Sequence, residues 1–333
     1  MHDTALIKAL EEEVMTDVSI IVPVYNAEAT VENTIRALLD QDYKGKYEII
    51  FVDDDSTDRT THMIMKYDAV KLVTQEHGGP ARARNRGAKV ARGDTLVFTD
   101  ADCVPEDNWL SNMMKPLEKD EIDGVQGAFR TRQKSVIARF VQQEIEDRYT
   151  KMQKEKFIDF VSTYSAAYRK RMFLEEGGFD ETFTTASGED TELSYRLASK
   201  GHLLFFNPGA VVYHTHPDNL WWYLKMKAGR AYWRTKTYGK HAGRMVKDSY
   251  TPQVLKLQIG LFYLFAFGMI TYALYHPAAY TAAGSAVLLF VSSLPFSLRV
   301  MAKDFFVGLI SPIMVFLRSG AFAYGLLNGI LRP

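Results

Sequence analysis

Residues 257–298 form a run of 42 positions without a single Lys, Arg, Asp or Glu. One bilayer crossing takes roughly 20 apolar residues, so the run is long enough for two helices joined by a tight hairpin. The tip falls at His276-Pro277, because Pro cannot continue a helix and biases the residue before it away from helical backbone. The spacing predicts one span over 257–275 and a second over 278–298. A buried soluble core is the poorer reading, since water-soluble helices almost never sustain so long an uncharged run. Arg244, Lys247 and Lys256 precede the first span, Arg299 and Lys303 follow the second, and the tip carries no cation. The positive-inside rule then places residues 1–250 and the loop 299–304 in the cytoplasm. Residues 305–317 and 319–331 are each 13 uncharged positions, separated by Arg318. Thirteen is short for a crossing, which leaves one helix with an interior Arg or, the favoured reading, a pair of short interfacial or re-entrant helices.

Ahead of this tail the composition is that of an ordinary globular protein. Forty Lys+Arg balance forty Asp+Glu over the chain, but residues 251–333 hold only five of the cations and one of the acids. The first 250 residues are therefore slightly acidic, which excludes a strongly basic nucleic-acid binder. Apolar residues make up 47% of the chain, enough to bury a core and to exclude disorder as the main state. With Cys103 as the single cysteine, neither an intrachain disulfide framework nor a Cys-based zinc site is available, and a reducing compartment is expected. Glu11, Glu12 and Glu13 interrupt the first apolar residues, so no signal peptide is expected there.

The first half alternates strand and helix. Val18-Ser-Ile-Ile-Val-Pro-Val24 is a short β-branched run that reads as a fully buried strand. Asn26 suits an N-cap, and Val31, Ile35, Leu38 and Leu39 follow at helical spacing. Further strands are expected at 47–52, 70–74 and 95–99, with Pro80 opening a helix. Four such β-α units predict a mostly parallel sheet covered by helices, with ligands bound beyond the carboxyl ends of its strands. Polar clusters at 25–26, 53–58, 77–86 and 100–102 fall at those ends.

Each cluster has a chemistry. Asp100 and Asp102 flank one residue, so both carboxylates can approach a common point and hold Mg²⁺ or Mn²⁺, which leave positions for phosphate oxygens. Asp53 and Asp54 follow a strand directly and can accept hydrogen bonds from a base N–H or ribose hydroxyls. Arg82, Arg84 and Arg86 occupy the first turns of a helix, where the dipole disfavours cations; an anion nearby, such as pyrophosphate, would explain them. Ser187-Gly-Glu-Asp190 reads from spacing as a capping box, with Ser187 at N-cap and Glu189 favourable to the dipole, and secondarily as a carboxylate base held at the cleft. His214 and His216 are spaced to share a strand face and a metal, although a hydrogen-bonded loop role suits His216 better. Trp221, Trp222, Tyr223, Tyr232 and Trp233, interleaved with Lys225, Lys227, Arg230 and Arg234, suit an interfacial helix touching anionic headgroups or a phosphate-bearing lipid.

Taken in order, these motifs resemble glycosyltransferase family 2 with the GT-A fold. Val18–Asn26 is similar to the family's opening strand, and Val52-Asp-Asp-Asp-Ser-Thr-Asp58 to its second nucleotide motif, with Asp55 where Gly is more usual. Gly78-Gly-Pro-Ala-Arg-Ala-Arg-Asn-Arg-Gly87 and Phe98-Thr-Asp-Ala-Asp102 complete the donor half. Gly177-Gly-Phe-Asp-Glu181, Gly188-Glu-Asp190 and Val212-Tyr-His214 complete the acceptor half, so the likeness spans residues 17–235. It implies an α/β GT-A (Rossmann-like) catalytic domain over 17–235, split into a nucleotide-sugar half, 17–105, and an acceptor half, 106–235. An N-terminal extension, 1–16, precedes it; a juxtamembrane linker, 236–256, and a membrane region, 257–331, with two or three hydrophobic helices follow.

The resemblance further implies an inverting, metal-dependent transfer from a nucleotide-diphosphate sugar. Pro23, Tyr25, Asn26, Asp53, Asp54, Arg84 and Asp100 would hold the donor. Asp102, helped by Asp100, would bind Mg²⁺ or Mn²⁺, with His214 as a further ligand. Asp190, with Glu189 beside it, would be the catalytic base, although spacing alone favours the cap. Processive synthases of the family carry Gln-x-x-Arg-Trp; Lys227-Ala-Gly-Arg230-Ala lacks both Gln and Trp, which favours transfer of a single sugar to a lipid-linked or cell-surface glycan acceptor at the cytoplasmic membrane face. A processive polysaccharide synthase and a non-catalytic nucleotide-sugar-binding membrane protein are the alternatives. A Rossmann dehydrogenase is disfavoured, because no Gly-x-Gly-x-x-Gly follows the first strand.

Overall fold

The computed structural model describes residues 16–185, 187–240 and 248–332. All but the last residue of the expected N-terminal extension lies outside these, as do Arg244, Lys247 and the middle of the expected juxtamembrane linker. In chain order the strands and helices are β1 Val18–Val24, α1 Val31–Leu39, β2 Tyr47–Asp53, α2 Thr60–Ile64, β3 Val70–Thr74, α3 Pro80–Val90, β4 Thr95–Phe98, β5 Val104–Pro105 and α4 Trp109–Met114. There follow β6 Gly124–Arg130, α5 Val136–Met152, β7 Ala166–Arg169, α6 Lys170–Glu175, α7 Glu189–Ser199, β8 Leu204–Tyr213, α8 Leu220–Lys240, α9 Gln253–Thr271, α10 Ala278–Met301 and α11 Phe305–Leu331. Two compact units result: Met1–Arg130 with Glu155–His214, and Thr131–Lys154 with Thr215–Pro333.

The first unit is built on one eight-stranded sheet of order β3-β2-β1-β4-β7-β6-β8-β5. Its β-branched and aromatic strand residues, Val18, Ile20, Ile21, Val22, Phe51, Val52, Val97 and Phe98 among them, are fully buried, which is why these runs read as strands without polar alternation. The four donor-half strands pair in parallel, as expected. The rest of the sheet is mixed, β7 being antiparallel to both β4 and β6 and β5 antiparallel to β8, while β6 and β8 pair in parallel, so the sheet is mostly parallel as expected. An antiparallel neighbour needs no helical crossover, so this half lacks the strand-helix repeat that marks the donor half. Residues 130–165, which carry no readable motif, hold the end of β6, all of α5 and a 3-10 turn, Thr163–Ser165.

Register sets the site. Val24 lies opposite Asp53, and Asp53 opposite Thr74, so β1, β2 and β3 end level. β4 runs in the same direction with Phe98 opposite Ile21, which brings the turn containing Asp100 and Asp102 to the same edge. The Thr34 hydroxyl of α1 reaches the carbonyls of Ala101 (3.0 Å) and Cys103 (2.9 Å) and fixes that turn from beneath.

The second unit joins α5 to the four C-terminal helices. Of these, α9, α10 and α11 are long and apolar enough to cross a membrane. The break between the first two falls at Tyr272–Pro277, with Pro277 in the N-cap position of α10, where its fixed φ is compatible with a helix start. The expected pair of short helices at the end of the chain is overturned: α11 is one continuous helix of 27 residues with Pro312 inside it. Arg318 does not break it, because the guanidinium is buried and donates to Glu144 Oε1 (2.6 Å) and Gln258 Oε1 (2.7 Å). Glu144 also accepts from Lys227 Nζ (2.8 Å) and the Tyr223 hydroxyl (3.2 Å) on α8. Tyr223, Lys227 and Ala231 are buried on α8, Ala231 against Leu255 and Phe322, whereas Trp221 and Trp222 stand exposed.

Candidate active site

Asp53 ends β2 almost fully buried. Its Oδ2 accepts from the Ser56 amide (3.2 Å), while Oδ1 is enclosed with no hydrogen-bond partner among the described residues. An enclosed carboxylate oxygen left over in this way is suited to a donor group on a ligand. Tyr25, half-exposed, follows the neighbouring strand β1, its ring 4.6 Å from that of His77. Pro23 sits within β1 opposite Val52.

Two residues expected to touch a donor are occupied by the fold. Asn26, at φ 50°, accepts from the Thr57 amide (2.8 Å) and donates its own amide to Ser56 Oγ (2.9 Å). It caps the 53–58 loop and not α1, which begins five residues later, so the N-cap expectation is corrected. Asp54 accepts from the amides of Gly78 (2.9 Å) and Gly79 (2.8 Å) and from Gln75 Nε2 (2.7 Å). Asp54 thus sets the chain's own carboxylate at the start of α3, where the helix dipole is positive. Asp55 adopts φ 69°, a backbone region that favours Gly, which gives a reason for the glycine more usual at that place.

The three arginines of α3 separate by face. Arg82 and Arg86 are exposed; Arg84 is 2% exposed. Its Nη2 donates to Asp100 Oδ1 (2.7 Å) and its Nη1 to Glu189 Oε1 (2.9 Å), joining the turn after β4 to the first turn of α7. α7 is not opened by a capping box. Gly188 occupies the N-cap position at φ 103° with no side-chain cap, a conformation that a residue with a Cβ adopts only at a cost. That turn sends Glu189 inward and leaves Asp190 half-buried, its Oδ1 accepting from the Thr191 amide (2.6 Å). Burial, with the Asp190 charge beside it, pushes the Glu189 carboxyl up to about 7. Asn85 fastens the neighbouring Gly177–Glu181 turn, donating to the Phe179 carbonyl (2.8 Å) and to Glu181 (2.9 Å).

Asp102 is half-exposed, with Oδ2 3.3 Å from His214 Nε2 just past the end of β8. Despite partial desolvation, the hydrogen bond and charge of His214 hold this carboxyl below its usual range. Asp102, Cys103 and His214 each place one donor atom within 4.8 Å of the others. Oxygen plus imidazole suits a manganese-like divalent ion. Burial pushes the Cys103 thiol well up, so it stays protonated and unsuited to bind one. His216 belongs elsewhere: in the second unit its Nε2 lies 3.0 Å from Gln142 and its amide donates to Gln133. The link from Arg84 to Glu189 spans 105 positions, and the only sign of it in the sequence is cations where the helix dipole disfavours them.

Comparison with known proteins follows the same lines. Residues 19–178 match the family model described as "Glycosyl transferase family 2". The chain is 29% identical over 280 residues to "Probable glycosyltransferase YdaM" of Bacillus subtilis, covering 76% of this chain and 64% of that protein. It is 24% identical over 339 residues to "Dolichyl N-acetyl-alpha-D-glucosaminyl phosphate 3-beta-D-2,3-diacetamido-2,3-dideoxy-beta-D-glucuronosyltransferase" of Methanococcus voltae, covering 96% of this chain and 98% of that one. Among solved structures, "Mannosyltransferase PcManGT from Pyrobaculum calidifontis in complex with GDP-Man and Mn2+" shares the fold, with TM-score 0.61 at 21% identity over 96% of this chain and 90% of that one.

Proposed function

Because this chain belongs to glycosyltransferase family 2, with a GT-A fold, we propose that it transfers one sugar, with inversion, from a nucleotide-diphosphate sugar to a lipid-linked or glycan acceptor at the cytoplasmic face of a membrane. The observation that carries this reading is the Arg84 bridge, which draws the Asp100–Asp102 turn and the Glu189–Asp190 turn of the same unit toward one guanidinium. Asp53, Tyr25 and Pro23 line the donor side, with Asn26 and Asp54 shaping the loops around them. Asp102 and His214, with Asp100 close by in sequence, are the residues that would hold Mg²⁺ or Mn²⁺. Such an ion neutralises charge that develops on the departing diphosphate. Asp190 accepts the proton of the attacking acceptor hydroxyl as that oxygen bonds the anomeric carbon and the bond to the diphosphate breaks. A phosphate acceptor would need little proton removal, so Asp190 matters most for a hydroxyl.

Single-sugar transfer is supported by the absence of Gln-x-x-Arg-Trp; Lys227, the nearest counterpart to its Gln, is buried against Glu144 in the second unit. Membrane association is supported by the three apolar helices, and the cytoplasmic orientation by Arg299 in the last turn of α10 and Lys303 just after it, with no cation at the hairpin tip. The Methanococcus relative's name points to a lipid-linked acceptor. The test is release of nucleoside diphosphate from UDP- and GDP-sugars by membranes holding the full chain, with Mg²⁺ or Mn²⁺ present. Release is expected from wild type and not from Asp102→Ala; equal background from both across the panel would sink the reading.

A further inference from the structure

We infer that Arg84 is a positioning residue for the transfer, locking the Asp100 turn to the Glu189–Asp190 turn, and not a ligand of the donor nucleotide. The inference rests on the transferase reading above and deepens it. A guanidinium that grips a diphosphate must present its terminal nitrogens to the cleft. Here one terminal nitrogen donates to Asp100 (2.7 Å) and the other to Glu189 (2.9 Å), the side chain is 2% exposed, and the Phe179 ring lies 5.8 Å from the guanidinium carbon. Both carboxylates come from segments remote in sequence, 16 and 105 positions away. Asp102 follows Asp100 by two residues and Asp190 follows Glu189 by one, so a single cation fixes the backbone beneath both working carboxylates.

Electrostatics makes the bridge necessary. Asp100, Glu189 and Asp190 gather around Arg84, and no other cation is bonded to Asp100 or Glu189 among the described residues. Without the guanidinium, like charges would separate the two turns. Glu189 is then the anchor on the acceptor side. Its Oε1 is bonded to Arg84, and its Oε2 is enclosed with no hydrogen-bond partner among the described residues, so neither oxygen opens to solvent.

The experiment uses full-length protein in detergent with Mn²⁺. Binding of UDP and GDP is measured by calorimetry, and kcat and donor KM with the sugar nucleotides that wild type turns over, for wild type, Arg84→Lys and Glu189→Gln. A displaced catalytic group costs on the order of a hundredfold in rate, so both variants should lose kcat by about that factor. Nucleoside-diphosphate affinity and donor KM should stay within about threefold, and the double variant should lose little more than either single one. A tenfold or greater fall in nucleoside-diphosphate affinity for Arg84→Lys would overturn the inference, because direct donor contact predicts it. So would wild-type kcat in Glu189→Gln, which keeps the side-chain shape while removing the anchor's charge. The binding arm judges Arg84 whether or not turnover is seen, whereas absence of turnover by wild type on every donor counts against the transferase reading itself.

Discussion

The guanidinium of Arg318 donates to the Glu144 carboxylate at 2.6 Å, and that contact lets a 27-residue apolar helix carry a cation at its midpoint. Burial alone would raise the Glu144 carboxyl; Lys227 and Arg318 more than reverse this and hold it at about 2. Removing one partner of a buried ion pair leaves the other uncompensated, typically at a cost of about 3–5 kcal/mol. Glu144→Gln should therefore lower the melting temperature in detergent markedly. Glu144→Leu combined with Arg318→Met and Lys227→Met should recover much of the loss. A Glu144→Gln variant as stable as wild type would show that the cluster contributes little.

Asp54 is expected to act on stability before it acts on catalysis. Its carboxylate serves two backbone amides at the start of α3 as well as Gln75. Capping bonds to a charged group contribute about 1–3 kcal/mol each. Asp54→Ala should lose about 2–4 kcal/mol in urea unfolding, and Asp54→Asn, which keeps one acceptor, about half of that. Full stability with lost donor binding would instead make Asp54 a direct ligand.

The pH dependence of stability should carry the sign of Glu189. Its folded-state value, about 7, lies above the ordinary 4.5, so the folded protein binds this proton more tightly than the unfolded chain. The contribution is full below about pH 4.5, is lost as pH rises to 7, and stays lost above it. Comparing unfolding of wild type and Glu189→Gln between pH 4.5 and 8 should show the wild type losing ground across that window; parallel curves would refute the shift.

Much of the donor half is legible in the sequence because local chemistry fixes it there. Val18–Val24 and Val70–Thr74 are strands at the expected bounds; β1, inside the sheet and covered on both faces, needs no polar alternation, whereas β3 is a half-buried edge strand with Lys71 and Thr74 exposed. What the sequence hides depends on distant partners. Arg84 looks like a phosphate ligand until Glu189 comes within reach, and Arg318 looks like a helix breaker until Glu144 does, 174 positions away. The capping-box reading of Ser187–Asp190 fails on one backbone angle, the positive φ of Gly188, which no side-chain pattern reports. Asp100, Asp102 and His214 stand out by type and spacing, but the pairing of Asp102 with His214 needs the register of β8 against β5 and β6.

Metal dependence should divide the aspartates from the histidine. If Asp102 and His214 hold the ion, chelation should abolish activity and Mn²⁺ should restore it. His214→Ala should then raise the Mn²⁺ concentration for half-maximal rate by roughly ten- to a hundredfold, the range seen when groups supporting a bound metal are lost. Asp102→Ala should not be rescued at any Mn²⁺ concentration that leaves the protein soluble. Unchanged Mn²⁺ dependence in His214→Ala would limit that side chain to holding Asp102.

Two glycines with similar φ separate conformational strain from crowding. Gly79 at φ 88° and Gly177 at φ 84° are both strained by an added Cβ, Gly79 the more so because its ψ of 168° lies in a region essentially confined to glycine. A Cβ on Gly177 meets nothing within 4 Å, whereas one on Gly79 would lie 2.5 Å from the Thr184 carbonyl oxygen, backbone that cannot step aside as a side chain would. Gly79 also donates its amide to Asp54, so displacement there would disturb the start of α3 and with it Arg84. Gly177→Ala should therefore lose only the strain term in urea unfolding and keep its rate. Gly79→Ala should lose more than that in stability and also lose turnover. Equal losses in the two variants would mean that the approach of Thr184 to Gly79 has no bearing on the site.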